Sequence, residues 1–199
     1  MNYEIRNNNN KLYEILTSED IIKNINDNVD YLLKLIPELR FMIGFEHKHP
    51  HHHLDVWNHT LYALSLSKPD FDLRLCLLLH DIGKPHSYQD GKIRTFKGHP
   101  LKSSIITNEV LNRLNYKHDY IREITYLIEN HDTSINRKNV INNYELCFKR
   151  YLIQYCDALA HHPDRLEKRI MYLKRTLDLL SEYKKETEER VKTKVKYNI

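Results

Sequence analysis

The stretch LLLHDIGK at residues 77–84 decides both the fold and the expected site of this chain. An apolar run of the kind that fills a protein core ends here in His80 and Asp81, and Lys84 follows shortly after. Removing an imidazole and a carboxylate from water is costly unless a partner compensates them, and the simplest such partner is a cation. We therefore predict that His80 and Asp81 form the centre of a metal site.

Histidines and aspartates elsewhere in the chain supply further ligands. The predicted metal ligands, in chain order, are His59, His80, Asp81, His99, His131 and Asp157. They offer imidazoles and carboxylates without a thiolate, which favours iron, manganese, cobalt, nickel or zinc in an open, water-bearing site and admits magnesium. Calcium, which prefers an all-oxygen shell, is disfavoured. We expect one or two divalent ions.

Three phrases of the sequence carry a resemblance to a known family. They are HHLDVWNHT (52–60), LLHDIGKP (78–85) and FKGH (96–99). They resemble the HD-domain metal-dependent phosphohydrolases, and most strongly the HD domain attached to bacterial CCA-adding enzymes (tRNA nucleotidyltransferases). The resemblance spans roughly residues 37–160. Residues 1–30 lack the Gly-Ser turn and the Asp-x-Asp pair of the nucleotidyltransferase head, so we expect a free-standing HD domain.

The resemblance divides the ligands between one-metal and two-metal members of the family. The one-metal set corresponds to His59, His80, Asp81 and Asp157. The additional ligands of two-metal members correspond to His99 and His131.

Two residues, Asp81 and Lys84, are the predicted catalytic residues. A carboxylate has two oxygens with lone pairs to share, so Asp81 is the residue best able to bridge two ions that activate a water molecule. Lys84 resembles the lysine that follows the His-Asp pair in many family members and is the candidate cation that steers a phosphate. The alternative for Lys84 is a solvated charge that interacts with the end of a helix.

The resemblance implies hydrolysis of a nucleotide-type phosphomonoester or phosphodiester, with a 2′,3′-cyclic phosphate among the candidates. The expected partner is a phosphorylated small molecule, a nucleotide or an RNA end. Two alternatives stay open. In the first, the chain is a non-catalytic, metal-containing module that binds nucleotide or RNA. In the second, it is a diiron oxygenase of the HD type.

The pattern of apolar residues predicts an all-α fold, a single compact helical HD domain. We divide the chain into a helical lead-in (1–30), the HD domain (31–162) and a long C-terminal helix with a charged tail (163–199). The Asp90-Gly91 pair predicts a short β-hairpin near the active site. The predicted helices cover residues 31–42, 55–67, 71–81 after an N-cap at Asp70, 100–115, 118–131, 137–142 and 144–161.

Composition adds only weak constraints on function. A net charge of +4 permits a phosphate-bearing ligand without demanding one. The three cysteines lie in apolar patterns and fit reduced thiols in a reducing cytosol. No apolar run is long enough to cross a membrane, so we expect a cytoplasmic protein without a membrane partner. The oligomeric state and the role of the histidines at residues 47–53 are left open.

Overall fold

The computed structural model describes residues 10–49 and 53–197, and at residue 165 and residues 190–197 it describes the backbone alone. This part of the chain folds into helices joined by turns and loops and forms no strand, which confirms the all-α prediction. Its α-helices are α1 (Asn10–Thr17), α2 (Ile21–Asp27), α3 (Val29–Leu35), α4 (Val56–Ser65), α5 (Phe71–Leu79), α6 (His99–Arg113), α7 (His118–Glu129), α8 (Arg137–Asn142), α9 (Tyr144–Leu159) and α10 (Leu166–Tyr197). Short 3-10 segments cover Pro37–Met42, Lys84–His86 and Pro163–Arg165.

Helix α5 lies at the centre of the core. Asp70 caps its start, as predicted, because the Asp70 carboxylate accepts a hydrogen bond of 2.8 Å from the backbone N–H of Leu73. The helix packs against α1, α4, α7 and α9, and its second half, from Leu75 to Leu79, is apolar on all sides and buried. The site residues His80 and Asp81 follow directly from its C-terminal end.

The lead-in helices α1 and α2 belong to the same hydrophobic core as α5. Leu12, Leu16 and Ile25 are fully buried in that core. The buried guanidinium of Arg74 ties the two regions together, because it donates hydrogen bonds to the carbonyl oxygens of Leu16 (2.9 Å) and Ser18 (2.6 Å). A domain boundary at residue 30 stays a prediction.

The single helix predicted over residues 31–42 is wrong. Helix α3 ends at Leu35, and a 3-10 segment begins at Pro37. The residue before a proline is disfavoured in the helical region, and Ile36 accordingly has φ −130° and ψ 78°. Gly44 follows this segment with a φ of 70°, a conformation that favours glycine.

The predicted hairpin is reduced to one antiparallel bridge between Gln89 and Thr95. A two-residue turn at Asp90 and Gly91 would require positive φ at both positions, and neither residue adopts it. The chain instead reverses over residues 90–94, and the backbone N–H of Arg94 donates to the carbonyl of Lys48 at 3.1 Å. Contacts with residues outside the hairpin therefore prevent a two-residue turn from forming at Asp90 and Gly91.

Helix α10 packs its apolar stripe against α8 and α9. Leu173 and Leu180 are buried there with Val140, Cys147 and Tyr151 in a second hydrophobic cluster. The charged segment beyond residue 183 keeps a helical backbone to Tyr197. None of the helices in the described ranges combines the length and apolar character needed to cross a bilayer.

Candidate metal centre

Five helices deliver the predicted ligands to one place. His59 lies within α4, His80 and Asp81 follow the end of α5, and His99 is the first residue of α6. His131 comes two residues after α7, and Asp157 lies near the end of α9. The sequence therefore correctly predicted that these residues meet, and their role as metal ligands stays a prediction.

The carboxylate of Asp81 lies in the middle of the imidazoles. Its Oδ2 is 3.2 Å from His80 Nε2 and 3.7 Å from His59 Nε2. Its Oδ1 is 3.2 Å from His99 Nε2 and 3.9 Å from His131 Nε2. Each carboxylate oxygen thus faces a different pair of histidines, which is the arrangement that a carboxylate bridging two ions requires.

Asp157 closes the His59 side of the cluster. Its Oδ1 lies 2.9 Å from His59 Nε2 and 3.6 Å from His80 Nε2. It also lies 3.8 Å from Nδ1 of His161, which the sequence analysis missed. The sequence offered one indication of His161, its spacing from Asp157, because residues four apart in a helix lie on one face.

The four predicted imidazoles are all oriented by their Nδ1 atoms. Because a carbonyl oxygen can only accept, Nδ1 carries the hydrogen in each of these bonds, and the Nε2 atoms point at the carboxylates. This orientation by an outer hydrogen bond is typical of metal-ligating histidines. The bonds join Nδ1 of His59 to Ala160 O (3.2 Å), of His80 to Leu77 O (2.7 Å), of His99 to Phe96 O (3.0 Å) and of His131 to Ile128 O (2.7 Å).

Several buried atoms of the cluster lack hydrogen-bond partners. His80 Nε2 and both carboxylate oxygens of Asp81 are buried without an aligned hydrogen bond. Buried polar atoms are normally satisfied, so these atoms need another kind of partner. Nitrogen and carboxylate donors suit a divalent transition metal, and the cluster is compatible with one. The donor groups close enough to hold an ion are His59-His80-Asp81, His59-Asp157-His161 and Asp81-His99-His131.

The electrostatics of the cluster keep its carboxylates ionised. Burial alone would raise the pKa of Asp81, but His80 and Lys84 outweigh it and hold that pKa well below its usual range. Burial would also lower the pKa of His80, yet Asp81 and Asp157 outweigh it and raise that pKa to about 10. In contrast, burial lowers the pKa of His131 to about 4, so this imidazole is neutral.

Lys84 is buried beside Asp81 instead of lying in solvent, which rules out the alternative of a solvated helix-end charge. Its Nζ lies 2.6 Å from Asp81 Oδ2, although the approach is not aligned as a hydrogen bond. The same Nζ donates to Nε2 of His47 at 3.1 Å and lies 5.5 Å from the centre of the Phe96 ring. Lys84 is therefore held in a fixed position beside the cluster of imidazoles and carboxylates.

The histidines at residues 47–53 divide into different environments. His47 is buried and fixes Lys84, because Nδ1 of His47 donates to Leu54 O at 2.8 Å and leaves Nε2 to accept. The ring of His53 packs edge-on against His162 with 5.4 Å between ring centres. His51 and His52 lie outside the described residues.

Gly83 allows the turn after Asp81 to pack closely against α6. Its backbone N–H donates to Ser103 Oγ at 2.9 Å. A Cβ atom at residue 83 would collide with the backbone nitrogen of Ser103 and lie 2.7 Å from the carbonyl oxygen of His99. The absence of a side chain at residue 83 therefore allows the turn that carries His80 and Asp81 to lie close to His99.

A cleft of about 390 Å³ gives access to the cluster. Its lining combines the metal-ligand candidates with basic side chains, which suits an anionic ligand. The residues that line it include Asp81, Lys84, Lys97, His99, His131, Asp132, Asp157, His161 and Arg169.

Comparison with known proteins agrees with this geometry. The HD domain family model matches residues 51–191. An A-adding tRNA nucleotidyltransferase from Deinococcus radiodurans is 32% identical over 131 residues, which cover 61% of this chain and 30% of that protein. A CC-adding tRNA nucleotidyltransferase from Thermus thermophilus is 28% identical over 113 residues, which cover 53% of this chain and 26% of that protein.

The chain spans less than a third of the length of either relative. The family model, in contrast, covers more than half of the chain and includes all the predicted ligands. The chain therefore belongs to the HD domain family.

Proposed function

We propose that the chain is a divalent-metal-dependent phosphohydrolase that acts on a nucleotide-type phosphomonoester or phosphodiester, with a 2′,3′-cyclic phosphate among its candidate substrates. The observation that carries the proposal is the buried Asp81 carboxylate, each oxygen of which faces imidazole Nε2 atoms. Membership of the HD domain family supports metal-dependent hydrolysis as the class of reaction. The substrate class is the step that the proposal adds.

The ligands fall into two sets that share Asp81. Bound divalent ions supply water of lowered pKa and neutralise negative charge on a phosphate. Two imidazoles lie on each side of Asp81, and Asp157 contacts only the first pair. The first set would be His59, His80, Asp81 and Asp157, and the second would be Asp81, His99 and His131.

The protein's own residues fix the site before a substrate arrives. Hydrogen bonds from Nδ1 to backbone carbonyls hold the rings of His80 and His131 in place. Lys84 is fixed between Asp81 and His47 and lines the cleft, so its ammonium group supplies a positioned charge for a phosphate. Charges that are fixed in advance need no reorganisation as negative charge develops in the reaction.

The class of ligand follows from chemistry at the cleft and from the relatives. Both relatives are named for the addition of nucleotides to tRNA. We infer that this chain acts on a nucleotide or an RNA end, and the basic residues Lys97 and Arg169 at the cleft favour such an anion.

Removal of divalent metal should abolish hydrolysis. Metal-loaded protein is assayed with 2′,3′-cyclic AMP, AMP and bis(p-nitrophenyl) phosphate before and after chelation. We expect chelation to lower the rate at least about 100-fold, since metal ions contribute several kcal/mol to such reactions, and added manganese or cobalt to restore it.

Two outcomes of this assay would contradict the proposal. Nucleotide binding without turnover under any of the candidate metals would indicate a binding module. Oxygen consumption by the iron-loaded protein, without phosphate release or ring opening, would indicate an oxygenase.

A further inference from the structure

We infer that the ligand of this site carries a second phosphate-bearing nucleotide, which occupies a separate cavity beside the metal centre between α9 and α10. The assignment of the reacting phosphate to the cleft at Asp81 rests on the proposed function. The second cavity is argued from its own lining, charge and size.

The second cavity has a volume of about 430 Å³ and adjoins the cleft at Asp81. The two spaces share part of their lining, so a ligand can extend from one into the other. The shared residues are His131, Asp132, Asp157 and Arg169. The residues that line only the second cavity are Ser134, Gln154, Ala158, Lys168 and Tyr172.

The polar wall of the second cavity is rigid. The hydroxyl of Tyr172 donates to Gln154 Oε1 at 3.0 Å and accepts from the backbone N–H of Ile135 at 3.1 Å. Gln154 Nε2 donates to the carbonyl oxygen of Thr133 at 2.6 Å. Since these side chains are already ordered, a ligand that enters the cavity loses little affinity in ordering them.

Two cations of the second cavity suit a phosphate, and they share its lining with the carboxylates of Asp132 and Asp157. Lys168 and Arg169 both belong to the first turn of α10, where the helix dipole adds to the attraction for an anion. Lys168 is exposed and Arg169 is half-buried, and neither forms an ion pair within the part of the chain that the structure describes. Lys168 lines only the second cavity, whereas Arg169 lines both spaces.

The sizes of the two spaces favour a ligand with two units. Small-ligand pockets begin at roughly 300 Å³. The cleft at about 390 Å³ and the second cavity at about 430 Å³ each exceed that size. A mononucleotide held at the metal centre would leave the second cavity and Lys168 without a partner from the ligand, whereas a dinucleotide would fill both.

The test compares a dinucleotide with a mononucleotide, using probes that resist hydrolysis. The probes are 5′-thiophosphorylated diadenylate with a phosphorothioate linkage and adenosine 5′-O-thiomonophosphate. Their dissociation constants for the full chain with manganese are measured by calorimetry at several salt concentrations. Lys168→Glu is the test variant. Lys174→Glu is its matched control, because Lys174 is an exposed lysine on another face of the same helix and the change in net charge is identical.

The native chain should bind the dinucleotide at least about tenfold more tightly than the mononucleotide, as expected for one further charge-assisted contact. Lys168→Glu should weaken dinucleotide binding about tenfold more than mononucleotide binding and reduce the salt dependence of dinucleotide binding by about 0.7 in log–log slope. Lys174→Glu should change both affinities less than about twofold.

Equal affinity of the native chain for the two probes would overturn the inference. Equal weakening of dinucleotide binding by the Lys168 and Lys174 variants would also overturn it. That result would indicate general electrostatic attraction to the surface instead of a specific subsite. Because neither probe is turned over, these results do not depend on catalysis. A chain that prefers the dinucleotide but hydrolyses no phosphate ester would retain this inference and lose the proposed function.

Discussion

The Asp81→Asn variant should lose nearly all divalent-metal binding and at least about three orders of magnitude of hydrolytic rate. Among the described residues, this carboxylate is the only group that faces both sets of imidazoles, and an amide offers one neutral oxygen in place of two charged ones. Loss of several kcal/mol of metal-derived stabilisation corresponds to a rate loss of this size. Metal content by mass spectrometry and initial rates measure the two effects.

Two further variants separate loss of metal from loss of folding. Asp81→Asn leaves the buried ammonium of Lys84 without its counter-charge, which we expect to cost about 3 kcal/mol of unfolding free energy. Combining it with Lys84→Met removes that charge, so the double variant should regain stability while still lacking metal. Asp178→Asn makes the same chemical change at an exposed residue of α10 and should leave metal content and rate unaltered. Native metal stoichiometry in Asp81→Asn would contradict the account.

The Gly83→Ala variant should lose about 3 kcal/mol of unfolding free energy and bind metal about 10- to 100-fold more weakly. The added Cβ would collide with backbone atoms of Ser103 and His99, which cannot rotate away as a flexible side chain would. The start of α6 must shift, and His99 moves with it. Chemical denaturation and metal titration measure the two effects.

Gly91→Ala is the matched control for this prediction. A Cβ at residue 91 would meet the carbonyl oxygen of Ile93 at 3.5 Å, which is an ordinary contact, and the backbone there does not have a positive φ. Its unfolding free energy should stay within about 0.5 kcal/mol of the native value. If Gly83→Ala were as stable as Gly91→Ala and bound metal as the native chain does, the close packing of the turn on α6 would not limit the site.

Helices whose signals are local were predictable from the sequence. Asp70 marks the start of α5 because a side-chain carboxylate satisfies a free backbone N–H at that point. Residues 137–142 form α8 with the predicted bounds. Such signals act within one helical turn, so they do not depend on the rest of the fold.

The predictions that failed involved competing interactions. Leucine and isoleucine spacing favoured one helix over residues 31–42, but Pro37 interrupts it by restricting Ile36. Asp90 and Gly91 favoured a tight turn. The backbone N–H of Arg94 instead donates to the carbonyl oxygen of Lys48, and the guanidinium of Arg94 donates to Asp90, so the chain reverses over more residues. At Ile36 the competing effect comes from the next residue, whereas at Asp90 and Gly91 it comes from Lys48, which is distant in the chain.

The convergence of the candidate site residues was predictable, whereas their role as metal ligands stays a prediction. The six predicted ligands converge. The run at residues 77–84 and the resemblance to the family were enough to identify them. His161 was missed although its spacing from Asp157 was visible in the sequence. The bond between His47 and Lys84 depends on the path of a loop, and no periodicity in the sequence indicates such a contact.

The most direct test is anomalous X-ray diffraction from crystals of the manganese-loaded chain. The account predicts one or two anomalous peaks within about 2.2 Å of an Asp81 carboxylate oxygen, with Nε2 atoms of His59 and His80 or of His99 and His131 as further ligands. Full metal loading with anomalous peaks only at other histidines, and none beside Asp81, would contradict it.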